Sequence, residues 1–338
     1  MAAELLDFEE PIRVLLKEVD ALSMMPHTEA RAADIARLRG RIDQIRAELF
    51  GALTPWQVVQ VSRHASRPGT LDYIERLFTG FVEVHGDRRF ADDPAIVCGM
   101  ALYHGEPVLV VGHQKGRTTK EKIARNFGHA RPEGYRKALR AMRMAEKFRR
   151  PVIVFVDTPA AYPGIESEER GVAEAIALNL REMAVIEVPI VIVVCGEGGS
   201  GGALGIAIGD RILMQQFAIF SVIPPEGCSA ILWRDSNRKV EAAAALKLTA
   251  PDLLKAGIAD EIIAEPVGGA HQDPALAAQR VDEAIRRTLA EVSAMTVADR
   301  LDRRYTKLRQ IGRLGVDFTD TAAVAAAAKP AGRASRAR

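Results

Sequence analysis

The segment Val191-Ile-Val-Val-Cys-Gly-Glu-Gly-Gly-Ser-Gly-Gly-Ala-Leu-Gly205 constrains the fold more than any other part of the 338-residue chain. Its β-branched run reads as a buried strand, and five glycines follow within residues 196–202. The small apolar stretch from Ala203 to Ile208 then reads as a helix. Glycines at a strand-to-helix turn let the backbone come close to a ligand. The first amides of the helix point outward without intrahelical partners, toward anything anionic. Such a segment can hold a developing negative charge with main-chain N–H groups.

Three chemistries fit the string. Gly196-x-Gly198-x-x-Gly201 matches the dinucleotide fingerprint, which follows a strand and opens a helix. The acidic residue that this fingerprint expects about 20 positions on is replaced by Gln215, Gln216 and Phe217. Gly198-Gly-Ser200-Gly-Gly202 matches the nucleophile elbow of a serine hydrolase. That reading needs a histidine further along, and only His271, in Gly268-Gly-Ala-His-Gln-Asp-Pro, follows. The third reading is an oxyanion hole built from the Gly201 and Gly202 amides, with Ser200 as a small helix N-cap. Against all three stands tight helix–strand packing that needs glycine and binds nothing, which five clustered glycines argue against.

A second loop of the same kind precedes this one. Pro151-Val-Ile-Val-Phe-Val156 is another short apolar strand, and it ends in Asp157-Thr-Pro-Ala-Ala-Tyr-Pro-Gly164. Two prolines force an irregular, extended turn there, and an amphipathic helix follows from about Glu168 to Ile186. Strand, loop and helix, twice over, form a repeated α/β unit whose loops meet at one end of a parallel sheet. Asp157 and Tyr162 either shape a ligand site or cap and pack the turn.

Further strings carry a resemblance. They are Gly112-His-Gln-Lys-Gly-Arg117, Thr119-Lys-Glu-Lys-Ile123, Arg125-Asn-Phe-Gly128, Pro132-Glu-Gly-Tyr-Arg-Lys-Ala138, Glu169-Arg-Gly171 and Pro225-Glu-Gly-Cys228. With the two loops, and in this order from Leu6-Asp-Phe-Glu-Glu-Pro11 to about Gly315, the chain resembles the alpha subunits of bacterial acetyl-CoA carboxylase carboxyltransferase. The resemblance implies an α/β, crotonase-like fold, a spiral of ββα units around a small parallel sheet with an N-terminal helical extension. It implies transfer of the carboxyl group of carboxybiotin to acetyl-CoA, giving malonyl-CoA for fatty-acid biosynthesis. It also implies an active site shared with a beta subunit, which carries most of the acyl-CoA site and the zinc.

On this resemblance the oxyanion donors are the amides near Ala160 or Ala161 and near Gly201 or Gly202. Gly198, Gly199, Tyr162, Pro163, Gly164, His113 and Lys115 are the candidates for contact with substrate or biotin. The partners implied are the beta subunit in an α2β2 assembly, the biotin carboxyl carrier protein, biotin carboxylase and acetyl-CoA. Biotin is not attached to this chain. The family usually has glycine where this chain has Ala160. Because left-handed alanine costs roughly 1–2 kcal/mol, Ala160 is expected at negative φ. A carboxyltransferase for another acyl-CoA, such as propionyl-CoA, and a serine hydrolase using Ser200 remain the alternatives.

Composition agrees with a cytoplasmic enzyme subunit. Cys98, Cys195 and Cys228 are scattered with no CxxC pair, which argues against a zinc ribbon or a disulfide scaffold. The amino terminus lacks the basic and apolar regions of a signal peptide, and no apolar run approaches the ~20 residues of a membrane span. Net charge is +2, yet residues 115–150 hold thirteen Lys or Arg against three Glu. A basic surface there suits the phosphates of coenzyme A or an acidic carrier. Nucleic acid is not expected, because aromatics are few and no nucleic-acid motif is present. Residues 1–70 read as a helical hairpin and extension, 71–315 as the carboxyltransferase domain, and 316–338 as a disordered Ala/Arg-rich tail.

Overall fold

The computed structural model describes residues 5–312, so the tail at 316–338, for which disorder is expected, lies outside the described residues. Two helices open the chain, α1 (Glu10–Ser23) and α2 (Glu29–Gly51). Pro11 sits in the first turn of α1, where a missing N–H costs no hydrogen bond. The Thr28 hydroxyl caps α2 by accepting from the Arg31 amide. Ile12, Val19 and Ile42 bury together, flanked by Leu15, Leu16, Ile35, Leu38 and Ile45, so the two helices pack as a hairpin. Helix α3 (Pro55–Ser62) starts in a capping box between Thr54 and Gln57, and α4 (Thr70–Leu77) follows. Phe50, Val58, Val59 and Val61 bury against Phe217, Ile219 and Leu248, which fixes this region to the body.

The body begins as an antiparallel meander, β1 (Thr79–Glu83), β2 (Ile96–Tyr103) and β3 (Glu106–His113). Helices α5 (Thr119–Ala124) and α6 (Pro132–Lys147) lead to β4 (Val152–Thr158). Then come α7 (Ile165–Glu169), α8 (Val172–Val185), β5 (Ile190–Gly199), α9 (Ser200–Leu204), β6 (Arg211–Gln215) and β7 (Ile219–Ser221). The chain continues through α10 (Pro225–Trp233), α11 (Lys239–Leu246), α12 (Ala250–Lys255), β8 (Glu261–Ile263), α13 (Pro274–Ser293) and α14 (Val297–Gln310). The strands form one mixed sheet in the order β1-β2-β3-β4-β5-β6-β8, with β7 pairing to β5. From β3 onward every pairing is parallel.

The central strands are apolar at every position because both faces of the sheet are covered. Successive side chains point to opposite faces. Val111, Val154, Val156, Ile192 and Val194 therefore bury against α6 and α8 through Met142 and Met183. Val110, Ile153, Phe155, Val191 and Val193 bury against α4 and α13 through Tyr73, Val281 and Ile285. Two helical expectations shift. The helix expected over 168–186 is divided, because Gly171 takes a left-handed φ of +75° between α7 and α8. The helix expected at Ala203–Ile208 instead starts at Ser200 and stops at Leu204. Among the described residues no helix is long and apolar enough to cross a membrane.

Candidate active site

Parallel pairing of β3, β4 and β5 brings their carboxyl ends to one edge, where residues 113–115, 157–164 and 196–202 meet. Four of the five clustered glycines are required by this meeting. A Cβ on Gly196 would lie 2.2 Å from Asp157 Oδ1, and one on Gly198 would lie 2.2 Å from the Phe220 ring. At Gly199 it would lie 1.9 Å from the Pro159 carbonyl oxygen, and at Gly202 it would lie 2.4 Å from the Ala160–Ala161 peptide. Only Gly201 has room, with Ile176 Cδ1 at an ordinary 3.6 Å. Tight packing, the reading that the sequence argued against, thus accounts for most of the glycine string. It also places the two loops in direct contact.

The loop from β4 is fixed at both ends of its exposed peptides. The Thr158 hydroxyl lies 2.7 Å from the Gly128 carbonyl and 2.9 Å from the Ala160 carbonyl, and the Tyr162 amide donates to the Ala130 carbonyl at 2.9 Å. Among the described residues the Ala160 and Ala161 amides between these anchors find no acceptor. Ala160 keeps a negative φ, as the cost of left-handed alanine requires. Tyr162 folds over Gly164, whose missing Cβ would lie 2.4 Å from the ring, and the Arg131 guanidinium sits 5.1 Å from the ring centre. Pro163 is exposed beside them.

Ser200 is not the helix cap expected of it. Gly199 occupies the N-cap position of α9 without a side-chain bond, and Ser200 takes a left-handed φ of +52°. A strained serine at a strand-to-helix turn has the backbone of a nucleophile elbow, but among the described residues neither ring nitrogen of His271, the histidine that this reading needs, bonds to its hydroxyl. His271 stacks on His64 with ring centres 3.8 Å apart, and among the described residues neither of its ring nitrogens has a hydrogen-bond partner. Burial, followed by the neighbouring His64 and Arg67, pushes the His271 imidazole down to about 3.

Behind the loops lies an ion-pair network that joins all three strands. Lys115 Nζ is 2.7 Å from Asp157 Oδ1 and 2.6 Å from Glu197 Oε2. Glu197 also pairs with Arg63 at 2.6 Å, and Arg63 reaches Glu226 at 2.7 Å. Burial alone would raise the Glu197 carboxyl, yet the Lys115 and Arg63 charges outweigh it and hold the group at about 2. Burial likewise disfavours charge on Lys115, but the two carboxylates reverse this and raise its ammonium above the usual lysine range. Lys115 is therefore a fixed cation whose side chain is 22% exposed. His113 is fully buried beside the Gly202 backbone, and burial holds it near 3, so it stays neutral.

Much of the basic run is neutralised internally. Arg136 pairs with Asp87, Lys137 with Asp92, Arg117 with Asp72 and Arg143 with Glu182. A cavity of about 290 Å³ opens beside the network, lined by Lys115, Asp157, Pro159 and Glu197 among others. Phe127 stands at its wall on a turn of left-handed residues. Sequence reading did not single out Arg63, Glu197 or Phe127. Glu197 carried a signal as a lone acid inside the glycine string, whereas the partners of Arg63 are 134 and 163 residues away.

The arrangement offers main-chain donors at a crowded loop junction, backed by Glu197, held ionised near neutrality, and Lys115, held protonated there. It suits stabilisation of an anion better than acid–base chemistry. Gly201 has open space beside it, and among the described residues the Ala160 and Ala161 amides are donors without an acceptor.

Residues 5–312 match the family model described as acetyl co-enzyme A carboxylase carboxyltransferase-like. A protein of Geobacter metallireducens named acetyl-coenzyme A carboxylase carboxyl transferase subunit alpha is 55% identical over 91% of this chain and 97% of its own length. A protein of the same name from Sorangium cellulosum is 52% identical over 92% of this chain and 99% of its own. Among solved structures, a transcarboxylase 12S chain superposes with a TM-score of 0.54 at 20% identity, covering 66% of this chain and 42% of that one. A Pseudomonas malonate decarboxylase chain gives a TM-score of 0.54 at 16% identity, over 73% and 99%. These structures share the crotonase-like α/β fold.

Proposed function

Because the chain belongs to the acetyl-CoA carboxylase carboxyltransferase alpha-subunit family, we propose that its two apposed loops form the biotin-side half of the carboxyltransferase site. The chain is a carboxyltransferase component of a biotin-dependent carboxylase, and a beta subunit is its partner. Carboxybiotin on the carrier protein supplies the carboxyl group that acetyl-CoA accepts at its methyl carbon, giving malonyl-CoA. In our reading the amides of Gly201 and Gly202, with those of Ala160 and Ala161, receive the negative charge that gathers on the ureido oxygen. One preorganised donor of this kind lowers the barrier by about 3 kcal/mol. Lys115, Asp157 and Glu197 hold the loops in place and move no proton, and Tyr162 and Gly164 shape the rim.

The observation that supports this reading is the close approach of Gly202 to the Ala160–Ala161 peptide, which sets the two loops side by side. One such pair serves one oxyanion, whereas the transfer develops charge on biotin and on the acyl-CoA alike. We therefore assign the acyl-CoA oxyanion and the zinc to the beta subunit, the working unit to an α2β2 assembly, and the complex with biotin carboxylase to the cytoplasm. The test is malonyl-CoA formation from carboxybiotin by this chain with and without co-purified beta subunit, with propionyl-CoA as a competing acceptor. Activity only in the complex and preference for acetyl-CoA are expected. Robust synthesis by the isolated chain contradicts the half-site, and preference for propionyl-CoA contradicts the assigned acceptor.

A further inference from the structure

Phe127 occupies a position that folding alone does not favour. Asn126, Phe127 and Gly128 take left-handed φ values of +50°, +54° and +81° in succession, and an aromatic residue in that region is a genuine outlier. Surrounding groups impose the conformation. The Gly128 carbonyl accepts from Thr158 at 2.7 Å, and Asn126 Nδ2 donates to the His129 carbonyl at 2.9 Å. Lys115 Cγ lies 2.6 Å from where a Cβ on Gly128 would be. The ring does not offset this strain by burial, because Phe127 is 51% exposed. It lines the same cavity as Lys115, Asp157, Pro159 and Glu197. Strained residues held by their surroundings at a ligand cavity point to a recognition role.

The chemistry of the cavity narrows the ligand. The charges of Asp157 and Glu197 are taken up by Lys115 and Arg63, Asp72 pairs with Arg117 and Arg67 with Glu265, so Phe127 supplies a flat apolar face in a cavity where, among the described residues, Lys122 is a lining cation without an ion pair. The turn is tied through Thr158 to the loop carrying the Ala160 and Ala161 amides. A fused ring with a hydrogen-bonding edge and an apolar flank matches both surfaces. We propose that Phe127 is a recognition residue for the biotin ring system, taking its apolar thioether flank while the ureido edge turns to the loop amides. This rests on the half-site reading above.

The test uses the complex with the beta subunit, run in reverse from malonyl-CoA to free biotin. The carboxyl group leaves the malonyl carbon for the biotin nitrogen, and the displaced N–H proton goes to the methyl carbon of acetyl-CoA. Glycine accepts left-handed φ freely, so Phe127→Gly removes the ring and relieves the strain together. The expected result is a thermal midpoint at or above that of the parent, a KM for free biotin raised about tenfold or more, and a KM for malonyl-CoA within about twofold. Phe127→Leu falls between, and Phe148→Ser, which alters an exposed phenylalanine outside the cavity lining, changes neither KM. A KM for free biotin within about twofold of the parent overturns the proposal. So does a lowered midpoint with both KM values raised, which marks a structural role. An increase confined to carrier-bound biotin also overturns it, since the ring then meets the carrier. If the parent complex carboxylates no biotin, the half-site reading fails and not the assignment of Phe127.

Discussion

The Glu197 amide donates to the Asp157 carboxylate at 2.9 Å, so the loop after β5 is tied to the loop after β4 by one side chain. The same Asp157 oxygen lies 2.7 Å from Lys115 Nζ and takes the space where a Cβ on Gly196 would be. One carboxylate thus sets the separation of the two donor-bearing loops. Removing one partner of a buried pair leaves the other charge uncompensated and costs about 3–5 kcal/mol. Asp157→Ala is expected at the lower end of that range, because Lys115 keeps Glu197. Its denaturant midpoint, with the malonyl-CoA turnover of the complex, measures this. Parent stability in the variant contradicts the anchoring role.

The titration behaviour of the site is one-sided. His113 is lowered to about 3 from an ordinary 6.5, so its contribution to stability is full above pH 6.5 and is lost as pH falls from there toward 3. Glu197 is lowered to about 2 from 4.5, so its contribution is full above pH 4.5 and is lost on acidification below that. Lys115 is raised, so its contribution is full below about pH 10.5 and declines only as pH rises beyond. Together these groups predict no change in stability from pH 7 to pH 9 and a loss in acid. Urea midpoints against pH should show a shallower slope between 6.5 and 4.5 in His113→Gln than in the parent. An unchanged slope removes His113 from the account.

The two glycines assigned to the donor site differ in their surroundings, which separates packing from chemistry. Gly201 has an ordinary neighbour at 3.6 Å, whereas a methyl on Gly202 meets the Ala160–Ala161 peptide at 2.4 Å. Gly201→Ala keeps its N–H and fits, so turnover of the complex should stay within about fivefold. Gly202→Ala forces the loops apart, and a misplacement of ~1 Å costs on the order of a hundredfold. Equal losses in the two variants contradict this division.

The sheet was legible because Val152–Val156 and Ile190–Val194 are continuous apolar runs, the mark of strands covered on both faces. The candidate site was legible as two loops but not as a network. Lys115 and Glu197 are 82 residues apart, and only the parallel register of β3, β4 and β5 brings them together. The glycine string was read for ligand approach, whereas its neighbours Asp157, Pro159, Ala160 and Phe220 lie outside any local pattern. The left-handed backbone of Ser200 and Phe127 was hidden for the same reason, since their strain is imposed by the surrounding fold and not by local preference.

The central claim is that a main-chain N–H at the loop junction stabilises charge in transfer. The direct measurement replaces Gly201 by glycolic acid through nonsense suppression, which deletes that N–H and leaves the open space around it unchanged. With the complex still assembled, the account predicts a fall in kcat of about a hundredfold to a thousandfold, the loss that follows removal of one preorganised donor. A kcat within about threefold of the parent would show that the Gly201 amide carries none of the developing charge.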